Sequence, residues 1–538
     1  MSAKPFVRES TGLVKEIGAL DAFSMNFSYL GPAAGITYPL IFAPYLAGAD
    51  WTLATALGAL VMAPVVLMYF YLSRLIPRSA GDYIYVSRIL GARWGMIQAI
   101  ATIFVFTTGT AVLAQSELPL VVSPALQALG VSLHDPSLIS LGNAFGYQNF
   151  TSPLFFAVTL AIIALSTLVV VSRTSWFARI ISGMTILQLV STLVMLIAVF
   201  SIGGQAGYER LFNSLSSEFG GPSYSSLSGT TAQTHFDLTS TLVLMATIMG
   251  FFYLYNNAPI YFAGEVKRPE RGLKAGLLYS YLVASALGTL LAFQLQHYIG
   301  EAFYDYTSVN GWSSSSGGIP IAPTSLLSYV SLIFLNSPAL LFIVVLGSLT
   351  WYVLYCIIDI AIPSRILFAM AFDGLAPRSF ARVSPKLHSP YVSALVIAAI
   401  TAFFDYAEIY LGFSTNGIVQ YGINFMLWAY LLAAISAIVI AKREIISLSS
   451  GSKKLFATLG AISCVVLLSA SGLLITYGVA TYSSQGFGSA LFSGNLVVNL
   501  STIAAIPIVA LALYEVIRRV RAAQGIRVEL AFREIPPE

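Results

Sequence analysis

Charge is what this sequence has least of. Aspartate, glutamate, lysine and arginine make up 9% of 538 residues, and hydrophobic residues make up 57%. A soluble protein carries about 25% charge and 45–50% apolar residues. So few charges cannot furnish a water-facing surface, which excludes a soluble protein although the length would suit several soluble domains. There are two cysteines, Cys356 and Cys464, both within apolar runs, so no disulfide framework is expected. The four histidines, His134, His235, His297 and His388, have no metal-ligand spacing, which argues against haem, copper or zinc chemistry. Net charge is only +4 and the basic residues are dispersed, whereas nucleic acid calls for a clustered basic face. No nucleic-acid partner is expected. The first 20 residues hold Glu9 and Glu16 and no apolar core, so no cleaved signal peptide is expected. No nucleophile–base pair, metal constellation or phosphate-binding loop is present, so neither an enzyme nor a nucleotide-powered pump is expected.

Long apolar runs are what the sequence does have. A bilayer core of about 30 Å needs roughly 20 apolar residues. Twelve such runs occur, at about 22–47, 51–73, 95–122, 153–172, 175–202, 239–263, 273–299, 338–362, 391–410, 416–441, 455–480 and 490–517. Continuous runs, rather than ten-residue alternation, exclude an outer-membrane barrel. The expected fold is an all-α polytopic membrane protein whose partners are the lipid bilayer and a small-molecule substrate; nothing in the sequence fixes an oligomeric state.

Basic residues orient the spans. With a cytoplasmic N-terminus, 26 of the 27 lysines and arginines fall inside and only Arg210 falls outside, as the positive-inside rule requires. Both termini are therefore expected in the cytoplasm of a cell-membrane protein. The segments between 203 and 238 and between 300 and 324 are read as outer loops, and Asn149-Phe150-Thr151 as a chance glycosylation sequon in another. Trp51, Trp94 and Trp176 fall at span ends, where interfacial anchors are expected.

Two spans are interrupted. The first contains Gly31-Pro32-Ala33-Ala34-Gly35 and the sixth contains Asn256-Asn257-Ala258-Pro259. Proline removes an N–H and clashes with the preceding turn, and glycine weakens a helix further. A plain kink is the simpler reading, since membrane helices tolerate proline. The breaks lie five spans apart, however, and a repeat of five spans has inverted topology. Paired broken helices in two inverted halves mark a transporter's midplane site. There, freed N–H groups attract a carboxylate and freed carbonyls attract cations or an ammonium. The expected organisation is an N-terminal segment 1–20, a first half 21–202, an outer segment 203–238, a second half 239–442, two further spans in 443–518 and a tail 519–538.

Three stretches carry a resemblance. Arg78 to Gly91, with Pro77 ahead, reads Arg-Ser-Ala-Gly-Asp-Tyr-Ile-Tyr-Val-Ser-Arg-Ile-Leu-Gly; Ala263 to Pro269 reads Ala-Gly-Glu-Val-Lys-Arg-Pro; Ser364 to Pro377 contains Ser-Arg, Ala-Met-Ala and Asp-Gly. In this order they resemble the signature loops of amino acid–polyamine–organocation (APC) permeases, over roughly residues 15–520. The resemblance implies a leucine-transporter-like five-plus-five inverted-repeat fold of twelve helices, the last two peripheral. It implies a secondary active amino acid transporter working by alternating access. The substrate carboxylate would meet the backbone of Gly31, Pro32, Ala33, Ala34, Gly35 and Ile36. The ammonium would meet carbonyls at Tyr253, Tyr255, Asn256, Asn257 and Ala258. Phe252, Tyr253 and Tyr255 are candidates for a thin aromatic gate. The chain departs from the family at Tyr255, where a glycine is usual, and Gln188 stands near where some proton-coupled relatives carry a lysine. No lysine or arginine lies mid-span. Coupling to Na⁺, held near Ser348 and Thr350, coupling to H⁺, and facilitated exchange stay open.

Ionisable groups in lipid are functional candidates. Glu117, in the outer part of span 3, could titrate, meet a cationic substrate or face another helix. Asp359 is read as partner to an arginine at the inner end of span 8, or as a proton relay. Asp405 and Glu408 are read as solvated near an outer boundary. Glu265, Asp82 and Asp373 are read as inner-gate ion pairs with Arg78, Arg88, Lys267 or Arg365. Thr107, Thr108, Asn416, Gln420, Tyr421 and Asn424 could touch a substrate or bond between helices. Two alternatives to an amino acid transporter remain: a carrier of polyamines or other organocations, and a non-transporting sensor or accessory subunit.

Overall fold

In lipid every backbone polar group needs a partner within the protein, and a helix supplies these within one segment. The computed structural model describes residues 12–229, 235–315, 317–413, 415–443, 446–482, 486–491 and 496–532; the side chains of 415–426, 496, 498 and 499 lie outside this set. The described chain is nearly all helical. The elements used below are α1 (Ala19–Leu30), α2 (Pro32–Leu40), α3 (Trp51–Leu75), α4 (Gly81–Ile89), α5 (Ala92–Glu117), α6 (Pro153–Val171), α7 (Thr174–Ser201), α8 (Leu238–Phe251), α9 (Ser280–Gln294), α10 (Pro338–Ser348), α11 (Trp351–Phe372), α12 (Tyr391–Leu411), α13 (Thr415–Lys442), α14 (Ser450–Ala480) and α15 (Leu496–Ala523).

Among the described residues, ten helical stretches are long and apolar enough to cross a membrane. Twelve spans were expected. The two outside that set are the first, divided into α1 and α2, and the tenth, α13, whose side chains are described only from Leu427 onward. Several stretches outrun the apolar pattern: Ala92–Leu133, Pro269–Asn310 and Pro338–Phe372. The last passes Arg365, which the pattern had placed beyond the span, because that arginine is buried and paired within the protein.

Burial separates core from rim. Within the most apolar window of each stretch, 72% of residues are buried in Ala92–Leu133 and in Pro338–Phe372, against 17% in Leu500–Ala523. α5 packs on α11, α12 and α13, so the polar residues of the centre face one another. Leu165, Leu168, Ile186, Ile197, Val465 and Ile508 are exposed on the outer helices, as a lipid-facing surface requires. Small residues allow close approach between helices: a Cβ on Gly347 of α10 would fall 2.1 Å from Ser191 of α7.

Two expectations fail here. Trp94 and Trp176 are exposed as anchors should be, but Trp51 is buried, packed edge-on against Tyr304 at 5.1 Å. The segments read as outer loops contain helices Gln205–Glu218 and Glu301–Asn310, joined through buried Tyr208, Phe212, Tyr224, Phe303 and Trp312.

Candidate functional site

Gly31 ends α1 with φ +53, a conformation open to glycine without penalty. Its N–H closes α1 on the Phe27 carbonyl at 2.8 Å, and its own carbonyl accepts from Gly35 N–H at 2.5 Å to start α2. Pro32 takes the first position of α2, where its missing N–H does no harm. No side chain caps α2, so its first turn presents the amides of Ala33 and Ala34. The Tyr355 hydroxyl donates to the freed Leu30 carbonyl at 2.8 Å.

Span 6 breaks at the end of α8. It continues as two tight turns, Tyr253–Tyr255 and Ala258–Glu265, around Asn256 and Asn257. Asn256 holds the break in place: its Oδ1 accepts from Asn26 Nδ2 at 2.5 Å and its Nδ2 donates to the Leu277 carbonyl at 3.3 Å. Phe252 wedges between two glycines. A Cβ on Gly35 or on Gly288 would fall 2.6 Å from its ring.

Between the breaks lies a narrow cavity, walled by Tyr29, Ala34, Gly35, Tyr38, Val105, Phe106, Gly109, Val112, Leu113, Phe251, Tyr255, Tyr352, Tyr355 and Asp359. The wall is aromatic, with one carboxyl. Tyr29 stands edge-on to Tyr255 at 5.1 Å and to Tyr355 at 6.0 Å, and its hydroxyl donates to Asp359 Oδ1 at 2.6 Å. A second, roomier cavity shares Tyr38 and Val112 with the first and reaches Gln115, Tyr147 and Glu408. A third shares Pro119 and Tyr147 with the second and runs under residues 310–313 and 319–324.

The segments carrying the basic residues are tied together on the other side. Arg365 donates to both Glu265 oxygens at 3.0 and 3.3 Å, with its guanidinium 4.4 Å over the Phe262 ring. Arg88 grips both oxygens of Asp373 at 2.7 and 2.8 Å, and the Tyr83 hydroxyl adds a third bond at 2.6 Å. All four charged side chains are almost fully buried. The Phe532 ring lies 4.9 Å from the Arg88 guanidinium, and Arg521 donates to the carbonyls of Gly374 and Ala376. Ile17 pairs with the end of span 6 through Ile17 N–H to the Glu265 carbonyl and Lys267 N–H to the Ile17 carbonyl.

Asp82, at the start of α4, has no arginine partner among the described residues; it accepts from the Tyr261 hydroxyl at 2.8 Å. Burial pushes its carboxyl from 3.8 up to about 7, against the opposing pull of that hydrogen bond. A carboxyl raised in the folded state stabilises it fully at low pH, and that contribution is lost as pH rises from 3.8 to about 7. Amide exchange across Gly81–Ile89, corrected for its intrinsic pH dependence, should therefore quicken between about pH 4 and pH 7. Asp82→Asn should flatten this profile. An unchanged profile would mean that the carboxyl does not govern local opening.

Of the residues proposed from sequence, Ala34, Gly35 and Tyr255 line the central cavity, with Gly31 directly beneath Tyr355. Pro32, Ala33 and Ile36 are buried in the first turns of α2. Tyr253 points away, donating to the Thr55 carbonyl at 2.9 Å. Asn256 braces helices and does not line the cavity, and neither Asn257 nor Ala258 reaches its wall. Phe252 is buried as a wedge; its neighbour Phe251 takes the place in the wall.

Asp359 has no arginine partner among the described residues and faces the cavity instead. Asp405 is buried, not solvated: it accepts from Gln115 at 2.9 Å and from Thr159 at 2.8 Å. Glu117 is buried too, and its Oε2 accepts from the Tyr352 amide in the first turn of α11 at 3.2 Å. Gln188 is buried with neither amide atom hydrogen-bonded among the described residues. Ser348 and Thr350 donate to the carbonyls of Val344 and Gly347 beside them, while Tyr355 is the residue of span 8 that reaches the freed Leu30 carbonyl. Thr107 and Thr108 bond back to their own helix; the side chains of Asn416, Gln420, Tyr421 and Asn424 lie outside the described residues.

The sequence reading missed Tyr29, Tyr38, Tyr352 and Tyr355. Their signal was available on α11: Tyr352, Tyr355 and Asp359 are spaced by three and four, one face of a helix.

Comparison with known proteins agrees with this architecture. The chain is 22% identical over 509 residues to an uncharacterized protein, 399, of Sulfolobus islandicus rod-shaped virus 1, covering 94% of this chain and 96% of the other. The family described as amino acid permease matches residues 17–512. A membrane-embedded helical chain, broken at its first and sixth spans around an aromatic cavity and matched by that family over nearly its full length, belongs to the amino acid permeases and is a multi-pass membrane transporter of the APC type.

Proposed function

We propose that the protein carries an amino acid across the membrane by alternating access, with the solute held between the broken centres of spans 1 and 6. The observation that carries this reading is the cavity walled by Ala34, Gly35 and Tyr255, where both breaks meet. The α2 amides of Ala33 and Ala34 and the positive end of that helix suit a carboxylate. In this reading 21–202 and 239–442 are inverted halves. The chain of cavities through Tyr38 and Tyr147 opens outward, and the Glu265–Arg365 and Arg88–Asp373 pairs hold the cytoplasmic side shut. The distribution of 26 of 27 basic residues supports cytoplasmic termini.

Counterflow in proteoliposomes with a labelled amino acid panel, with and without Na⁺ and a pH gradient, tests this reading. Accumulation of at least one amino acid against an unlabelled pool is expected. Asp359 in the wall favours a second reading, a polyamine or other organocation as cargo; uptake of putrescine and of no amino acid would replace the first with it. Silence with every solute would leave a non-transporting sensor or accessory subunit.

A further inference from the structure

Among the described residues, Asp359 is the one charged side chain in the wall of the central cavity. Its Oδ1 is held by Tyr29, while Oδ2 lies 3.7 Å from the place a Cβ on Gly109 would take, with no hydrogen-bond donor among the described residues. The titratable groups facing this carboxyl are Tyr29 on α1, Tyr255 at the break of span 6, Tyr355 and Cys356 on α11 itself and Tyr430 on α13. None brings positive charge at neutral pH. A buried carboxylate is tolerated when a cation pairs with it or a proton neutralises it. The rings of Tyr29, Tyr255 and Tyr355 around it are also what a cation prefers to water in a desolvated site.

We infer that Asp359 binds the ammonium group of the substrate and carries a proton when the substrate is absent, so that substrate and proton cross the membrane in opposite directions. The inference rests on the transport reading above and names its coupling. The exchange balances: the neutral carboxyl gives its proton to cavity water, and the ammonium then donates an N–H to Oδ2. One positive charge arrives as one departs, and no covalent bond other than that O–H changes. This balance selects a substrate of net charge +1. Both an amine and a dibasic amino acid meet that condition, the latter turning its carboxylate to the Ala33 and Ala34 amides.

The test uses the purified full chain in weakly buffered, Na⁺-free detergent with a pH-sensitive dye, and tyramine, lysine and leucine as probes. Binding of tyramine or of lysine should release up to one proton per molecule bound, and the probe that does so identifies the source of the ammonium. Asp359→Asn should release none and bind about a hundredfold more weakly, the loss of one hydrogen bond to a charged group. Asp359→Glu should keep the release. Wild-type affinity and proton release in Asp359→Asn would overturn the inference. So would cation binding by the wild type without proton release, whether or not any variant folds. If none of the three probes binds, the inferred substrate class falls, and the counterflow panel decides separately whether the transport reading survives.

Discussion

Replacing Arg365 with methionine should destabilise the protein by about 3–5 kcal/mol, because it leaves Glu265 as an uncompensated charge in the interior. The geometry makes the case. Both side chains are almost fully buried, the guanidinium meets both carboxylate oxygens, and its face is stacked on Phe262. Glu265→Gln should be milder, since an amide can still accept from the guanidinium. Removing both charges together, in Glu265→Gln with Arg365→Met, should recover most of the loss, since a neutral pair carries no desolvation penalty. Thermal unfolding in detergent reads the stability. Solute binding and counterflow then separate two roles. If the pair keeps the cytoplasmic side shut, Glu265→Gln should impair counterflow far more than binding. Equal losses in both would place the pair in support of the cavity itself.

The second large effect is expected at the first break. A Cβ on Gly35 would fall 2.3 Å from the Leu30 carbonyl oxygen and 2.6 Å from the Phe252 ring. One on Gly31 would fall 2.4 Å from the Tyr355 hydroxyl, at a φ of +53 that side chains resist. Overpacking costs about 1–3 kcal/mol and the left-handed conformation about 1–2 kcal/mol more. Gly31→Ala should therefore destabilise by roughly 2–5 kcal/mol, and either substitution should abolish solute binding by pushing Tyr355 or Phe252 out of place. Gly183→Ala is the control, because nothing lies within 4 Å of its added Cβ; it should leave stability and binding unchanged or slightly improved. Binding retained in Gly31→Ala would mean that the break does not shape the site.

The breaks were legible because glycine and proline act on the backbone directly, wherever they stand. Gly31 and Pro32 dictate a local conformation that no tertiary contact has to supply. The signature stretches were legible for the same kind of reason: charged residues beside apolar runs are conspicuous. The cavity wall was not. In a span that is apolar all round, a tyrosine facing a cavity and one facing lipid read alike, and only packing separates them; Tyr29 and Tyr38 were lost this way. Asn256 failed in the opposite sense. Its polarity suggested a pocket, yet a freed backbone needs buried partners before it can be stable, and Asn256 serves Asn26 and Leu277. Asp405 misled because a charge near a span end was taken for solvated, when buried partners hold it in the interior.

The single bridge between Ile17 and Val266 has a mechanical meaning. Two backbone hydrogen bonds, of 3.0 and 2.9 Å, strap the chain just before α1 to the chain just after the broken span 6. The two broken spans share one handle, and Glu265 belongs to it through its carbonyl while its side chain clasps Arg365 on α11. Under the proposed transport cycle this strap would make the two ends tilt as one, so the clasp would let go of both arms in a single stroke.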